Sequence, residues 1–199
     1  MSRFECTPTP LGGLTVVLRS ALEDSRGFLS RLYCADELRA AGWRGDVAQV
    51  NHTLTRRQGS VRGLHFQRAP HAEAKLVSCV RGEVFDVAVD LRRGSPTYLQ
   101  WHAQRLSAQN RHSLLIPRGF AHGFQALADD CELIYLHSSA YTPEAEGGLD
   151  ALDAALAIAW PLPVVERSPR DLSFAAIDEN FEARFDATPD DRPNPRPSS

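Results

Sequence analysis

Seven short runs between residue 13 and about residue 137 alternate apolar and polar residues with a period of two: 14–18, 61–66, 76–80, 84–91, 98–102, 113–116 and 132–136. Successive side chains of a strand point to opposite faces, so these runs read as strands, and the Gly, Pro, Asp and Asn clusters between them supply turns. Many short strands at close spacing specify an all-β sandwich or barrel. One helix interrupts them over 34–42, where Asp36 and Glu37 favour the first turn and Gly42 supplies the stop. Beyond residue 142, Leu149, Leu152 and Leu156 at near-helical spacing predict a second helix. Ser168 as cap with Pro169 at the first position predicts a third, short one. Four prolines (Pro189, Pro193, Pro195, Pro197) fall among polar neighbours in 188–199, which predicts a disordered tail and leaves 1–187 as one domain.

Charge and composition then exclude function classes. The 22 Lys and Arg against 25 Asp and Glu give a net charge of −3, with no block of like charge to track a phosphate backbone, so nucleic acid is not an expected partner. No apolar stretch approaches the ~18 residues needed to span a bilayer, and the N-terminus lacks a basic region followed by an apolar run. The expectation is a cytoplasmic protein without a membrane partner. Cys6, Cys34, Cys79 and Cys131 lie far apart without a CxxC pair, so reduced, packed thiols are expected.

Chemistry concentrates on two strands. In VRGLHFQ, Leu64 and Phe66 share one face and Gly63, His65 and Gln67 the other. In GEVFDVAVDL, Phe85, Val87, Val89 and Leu91 form an apolar face, leaving Asp86 and Asp90 opposite with Ala88 between them. On an open sandwich those polar faces are wet; in a small barrel they line the lumen, where an imidazole and a carboxylate can meet. Barrels of the cupin type hold iron, zinc or manganese through an H-x-H pair, but the second position here is Gln67, a poor ligand, and His122 alone does not complete a site. No metal is expected. Neither a GxSxG elbow nor a GxxxxGK[ST] or GxGxxG phosphate loop is present. Acid/base chemistry without a cofactor remains.

Five segments carry a family resemblance: DSRGF at 24–28, QVNHT at 49–53, RGLHFQ at 62–67, KLVSCVRGEVFDVAVDLRRGSPTY at 75–98 and LSAQNRHSLLIPRGFAHGF at 106–124. Together they resemble the dTDP-4-dehydrorhamnose 3,5-epimerase family, over about residues 4–175. The resemblance implies a jelly-roll barrel of the cupin superfamily, mainly β with a few short outer helices. It also implies a homodimer and a nucleoside-diphospho-4-keto-6-deoxyhexose substrate, epimerised at C3, C5 or both. The base falls on His65, its carboxylate partner on Asp171, and Asp86 is a second carboxylate near His122. Lys75 is placed near the sugar ketone and Tyr135 as proton donor on the opposite face. Arg26 and Arg62 match diphosphate contacts, Gln49 and Asn51 sugar or nucleotide contacts, and Tyr141 another pocket aromatic.

Departures from the family pattern keep alternatives open. Arg31 stands where a glutamate is common, Ser78 where an arginine is, and Leu136, His137 and Ser138 where a lysine and threonines follow the tyrosine. The stretch EAEGGLDALDAA keeps Glu144, Glu146 and Asp153 but lacks the usual arginine, tryptophan and proline. A single-centre epimerase or ketoisomerase, on a dTDP- or CDP-sugar, and a non-catalytic sugar-nucleotide-binding cupin are the alternatives.

Overall fold

The computed structural model describes residues 2–178, 181, 183, 185 and 186; the predicted tail lies outside them. In chain order come β1 (Phe4–Pro8), β2 (Thr15–Arg19), the hairpin β3 (Ala21–Asp24) and β4 (Gly27–Ser30), then α1 (Ala35–Ala40). There follow β5 (Gln49–Thr55), β6 (Val61–Gln67), β7 (Lys75–Arg81), β8 (Glu83–Asp90) and the two-residue β9 (Arg92–Arg93). Next are β10 (Trp101–Ser107), β11 (His112–Ile116), β12 (Phe120–Ala126), β13 (Cys131–His137) and β14 (Glu146–Gly148). Last come α2 (Pro169–Leu172) and β15 (Phe185–Asp186). A six-stranded antiparallel sheet runs β1-β2-β11-β7-β13-β5, and a five-stranded one runs β10-β8-β12-β6-β14. They face each other as the expected cupin-like jelly roll.

Period-two patterning sorts three apolar layers. Between the sheets Val77, Cys79, Leu114, Phe120, Phe124 and Leu133 fill part of the barrel. Outside the six-stranded sheet, Leu38 of α1 and Trp43 pack on Val17, Leu76, Leu115 and Leu136. On the five-stranded sheet, Leu64, Phe66, Val87, Val89 and Leu91 turn outward and are covered by Leu149, Ala151 and Leu156 of the C-terminal segment. The opposite faces of these strands are therefore the lumen.

One irregularity decides what faces that lumen. On β12, His122 pairs with His65 but Phe124 pairs with Arg62, so β6 carries one extra residue opposite Gly123. Such a bulge re-aims side chains, and it brings Arg62 to the same cavity as His65, three residues on. Gly63 occupies the bulge with φ +114°, and a Cβ there would lie 2.6 Å from Gly123 Cα and 2.7 Å from His122 O. Only glycine fits both demands.

Two expectations change. The predicted helix over 149–156 is a series of turns. Its backbone is committed elsewhere: Leu149 donates to Leu64 O (3.0 Å) and accepts from Leu64 N–H (3.2 Å), while the Asp153 carboxylate takes the Ala155 N–H (2.8 Å). Leu149 and Leu156 are buried, as the spacing suggested, but from a turn-rich segment lying on the sheet. The strand predicted at 98–102 begins only at Trp101, because the preceding residues turn around Asp90, whose carboxylate accepts from Ser95 and Thr97 hydroxyls at 2.7 Å each.

Candidate active site

Two adjoining cavities open at one end of the barrel. A cavity of about 260 Å³ is lined from the five-stranded side by Arg62, His65 and His122 and from the six-stranded side by Lys75, Tyr135, His137 and Asn51. A second, of about 580 Å³, shares Arg62, His65 and Arg170 with it and adds Arg56, Arg167 and Asp171.

His65 Nε2 lies 2.7 Å from Asp171 Oδ1, and Asp171 Oδ2 accepts the Gly63 N–H at 3.2 Å. The aspartate is placed by its own helix start, where Ser168 Oγ accepts the Asp171 N–H. Burial alone would raise the Asp171 pKa; the bonds from His65, Gly63 and Ser168 outweigh it and hold the group below the usual carboxylate range. Asp171 thus remains ionised and accepts a hydrogen bond from Nε2–H, which leaves Nδ1 as the unprotonated ring nitrogen. The Arg170 guanidinium lies 3.3 Å from Nε2.

Across the cavity, Lys75 is 7% exposed, with Nζ 3.1 Å from Glu73 Oε1 and 3.4 Å from His65 O. Tyr135, on β13 beside it, is buried, and that burial pushes its phenol well above the usual range. It keeps its proton at neutral pH. Its ring stacks on His137 (centroids 6.1 Å apart) and meets His122 edge-on at 5.9 Å. Beneath His122, Asp86 Oδ2 lies 2.9 Å from Nε2, while Oδ1 has no hydrogen-bond partner among the described residues. Full burial raises the Asp86 pKa despite the neighbouring imidazole.

The sequence pattern of the dTDP-4-dehydrorhamnose 3,5-epimerases matches residues 8–179. The chain belongs to this family. A dTDP-4-dehydrorhamnose 3,5-epimerase of Methanothermobacter thermautotrophicus is 38% identical over 182 residues, 92% of this chain and 95% of the relative. A dTDP-4-dehydrorhamnose 3-epimerase of Streptomyces niveus is 43% identical over 177 residues, 87% and 85% of the two chains. The solved dTDP-6-deoxy-D-glucose-3,5-epimerase of Legionella pneumophila, in complex with dTDP-4-keto-L-rhamnose, superposes with a TM-score of 0.86 at 36% identity, covering 92% of this chain and 100% of that one.

Of the residues expected from the family resemblance, His65, Lys75, Tyr135, Arg62, Asn51, His122 and Tyr141 line the smaller cavity. Asp171 lines the larger and bonds to His65; Asp86 bonds to His122 instead and lines neither. Gln49 stands behind the wall, joining Asn51 to the Tyr141 backbone. Arg26 is not brought to either cavity. It sits at the β3–β4 turn, 88% exposed and paired with Asp24, because the hairpin pairs only with itself. Unforeseen lining residues are Glu73, His137, Glu146 and Arg170. His137 was legible, two residues from Tyr135 on one strand; Glu73 precedes β7 and carried no periodic signal.

Gln67 does not act as a free ligand group: Nε2 donates to His71 O and Ala140 O, and Oε1 accepts the Thr142 N–H. Among the described residues no three His, Cys, Asp or Glu side chains converge on a metal-sized site.

The Asp171 shift has a stability consequence. A carboxylate with a lowered folded-state pKa adds stability that is complete above the unfolded value, ~3.9, and is lost as pH falls through the folded value. Asp171→Asn should therefore cost on the order of 2 kcal/mol at pH 6–8 and progressively less below pH 4. Urea midpoints across pH check it, and a deficit that persists unchanged at the acid end contradicts it.

Proposed function

We propose that the protein epimerises a nucleoside-diphospho-4-keto-6-deoxyhexose at the carbons flanking its C4 ketone. The observation that carries this reading is the opposition of two proton-transfer groups across one cavity: His65, oriented by Asp171, on the five-stranded sheet, and Tyr135 on the six-stranded sheet. The ketone acidifies the neighbouring C–H bonds. His65 removes a proton from one side, and the developing enolate is stabilised by the Lys75 ammonium, an interaction stronger in the transition state than with the neutral ketone. Tyr135 returns a proton from the other side, inverting the centre. The reaction is redox-neutral, and this reading assigns it neither cofactor nor metal.

The larger cavity suits the rest of the substrate. Arg56, Arg62, Arg167 and Arg170 converge on it, and planar guanidinium forks match diphosphate oxygens. Sugar in the smaller cavity and diphosphate in the larger would set the ring between the two sheets. Base identity and the choice between one centre and two are finer matters; the Streptomyces niveus relative, a 3-epimerase, makes the single-centre outcome the second reading.

The working unit in this reading is a cytoplasmic homodimer. The β3–β4 hairpin exposes Leu22, Phe28 and Leu29, and the edge strand β5 exposes Val50, an apolar surface that a second copy would cover. Such a dimer also offers a route for Arg26 to a diphosphate, in the partner's cavity. Sedimentation at twice the chain mass is the expected outcome; a monomer overturns this part. No helix among the described residues is long and apolar enough to cross a membrane.

Proton NMR in deuterated water with dTDP- and CDP-linked 4-keto-6-deoxyglucose tests the activity. Deuterium should enter C3, C5 or both, accompanied by the epimeric product. His65→Ala should slow exchange by on the order of 10² to 10⁴ while nucleotide affinity holds within about threefold, since the imidazole acts in the transition state. Undiminished exchange in that variant removes His65 as the base, and no exchange by the wild-type protein overturns the activity.

A further inference from the structure

Glu73 and His137 belong to neither the base nor the acid, yet both line the cavity and both are nearly buried, at 9% and 12% side-chain exposure. They end a chain of hydrogen bonds whose direction is fully determined. The Tyr141 N–H can only donate, so Gln49 Oε1 accepts it (3.0 Å) and Gln49 Nε2 donates to Asn51 Oδ1 (2.9 Å). Asn51 Nδ2 must then donate to His137 Nε2 (3.4 Å), which places the imidazole proton on Nδ1, aimed at Glu73 Oε2 (2.8 Å). The other oxygen of Glu73 takes the Lys75 ammonium at 3.1 Å.

We infer that Glu73, anchored by His137, is a positioning residue that serves as the buried counter-ion of Lys75 and holds its ammonium at the ketone subsite. This rests on the role of Lys75 proposed above. A buried ammonium without a partner gives up its proton rather than remain charged. The titratable groups around Lys75 come from several strands: His137 and Tyr135 on β13, His65 on β6, His122 on β12 and Asp86 on β8, with Arg62, Glu146 and Arg170 on the remaining walls. Among the described residues only Glu73 forms an ion pair with the ammonium. Of the other two carboxylates, Asp86 is engaged with His122 and Glu146 with Arg170. Glu73 is itself held ionised: burial opposes its charge, but His137 and Lys75 outweigh that and bring its pKa below the usual value. The chain also reaches the cavity mouth, because Tyr141 heads it, and it passes beside the proposed acid, because His137 stacks on Tyr135.

The test compares the pH dependence of kcat/KM for deuterium exchange in the wild-type protein, Glu73→Gln and Glu73→Asp. With the counter-ion gone, Lys75 loses its proton more easily, so Glu73→Gln should move the alkaline limb to lower pH by about one unit or more. KM should change less than about threefold while kcat falls. Glu73→Asp keeps the charge and should leave the limb near its wild-type position. An unmoved limb in Glu73→Gln, with the wild-type protein active, overturns the inference alone; an inactive wild-type protein overturns the substrate reading instead. If Glu73→Gln does not fold, the double variant Glu73→Gln, Lys75→Met should, because the cost lies in the uncompensated ammonium. A double variant that also fails to fold contradicts the pairing.

Discussion

Asp171 lies 106 residues along the chain from His65, on a four-residue helix, yet the two meet at 2.7 Å and the rest of the candidate site depends on that bond. A carboxylate that is 2% exposed is strongly disfavoured unless its oxygens are bonded. Both are, one by the imidazole and the other by the Gly63 N–H of the bulge. The bond therefore does three things at once. It fixes the tautomer of His65, it ties α2 to β6, and it anchors the segment that covers the outer face of the five-stranded sheet.

The barrel tolerates a polar lumen because its charges are paired. His65 has Asp171 from α2, His122 has Asp86 from the neighbouring strand of the same sheet, and Lys75 has Glu73 from the loop just before β7. Pairing lets the site gather the Lys75 and His65 side chains beside Tyr135 within one small cavity. The cavity next to it sets Arg56, Arg62, Arg167 and Arg170 against Glu166 and Asp171, an excess of positive charge that suits a substrate with a neutral reacting sugar and an anionic tail. Asp86 is the exception, with one oxygen unbonded and burial favouring its neutral form.

Period-two alternation made most of the barrel legible: the runs at 61–66, 76–80, 84–91, 113–116 and 132–136 are the centres of β6, β7, β8, β11 and β13. Strand β5 was missed because its pattern is inverted, with Asn51 and Thr53 facing the lumen and Val50 and Leu54 facing out. Strand β12 was missed because it is buried on both faces and shows no alternation. The helix expected over 149–156 failed where leucine spacing competed with backbone pairing to Leu64, an interaction from a distant strand that spacing cannot register. Alternation alone puts Arg62 with Leu64 and Phe66; the bulge at Gly63 reverses it. Glu73 was illegible for a simpler reason: its role is defined by Lys75 and His137, and His137 joins it only through the pairing of β13 with β7.

The central claim is that His65 and Tyr135 act on opposite faces of one ring. Tyr135→Phe tests it most directly, because phenylalanine keeps the ring packing against His122 and His137 and removes only the hydroxyl. Solvent deuterium should continue to wash into C3 or C5 of the starting epimer while formation of the inverted product slows, since the abstracting side still works and the opposite donor is gone. Exchange and inversion falling together by the same factor, or neither falling, would contradict the account.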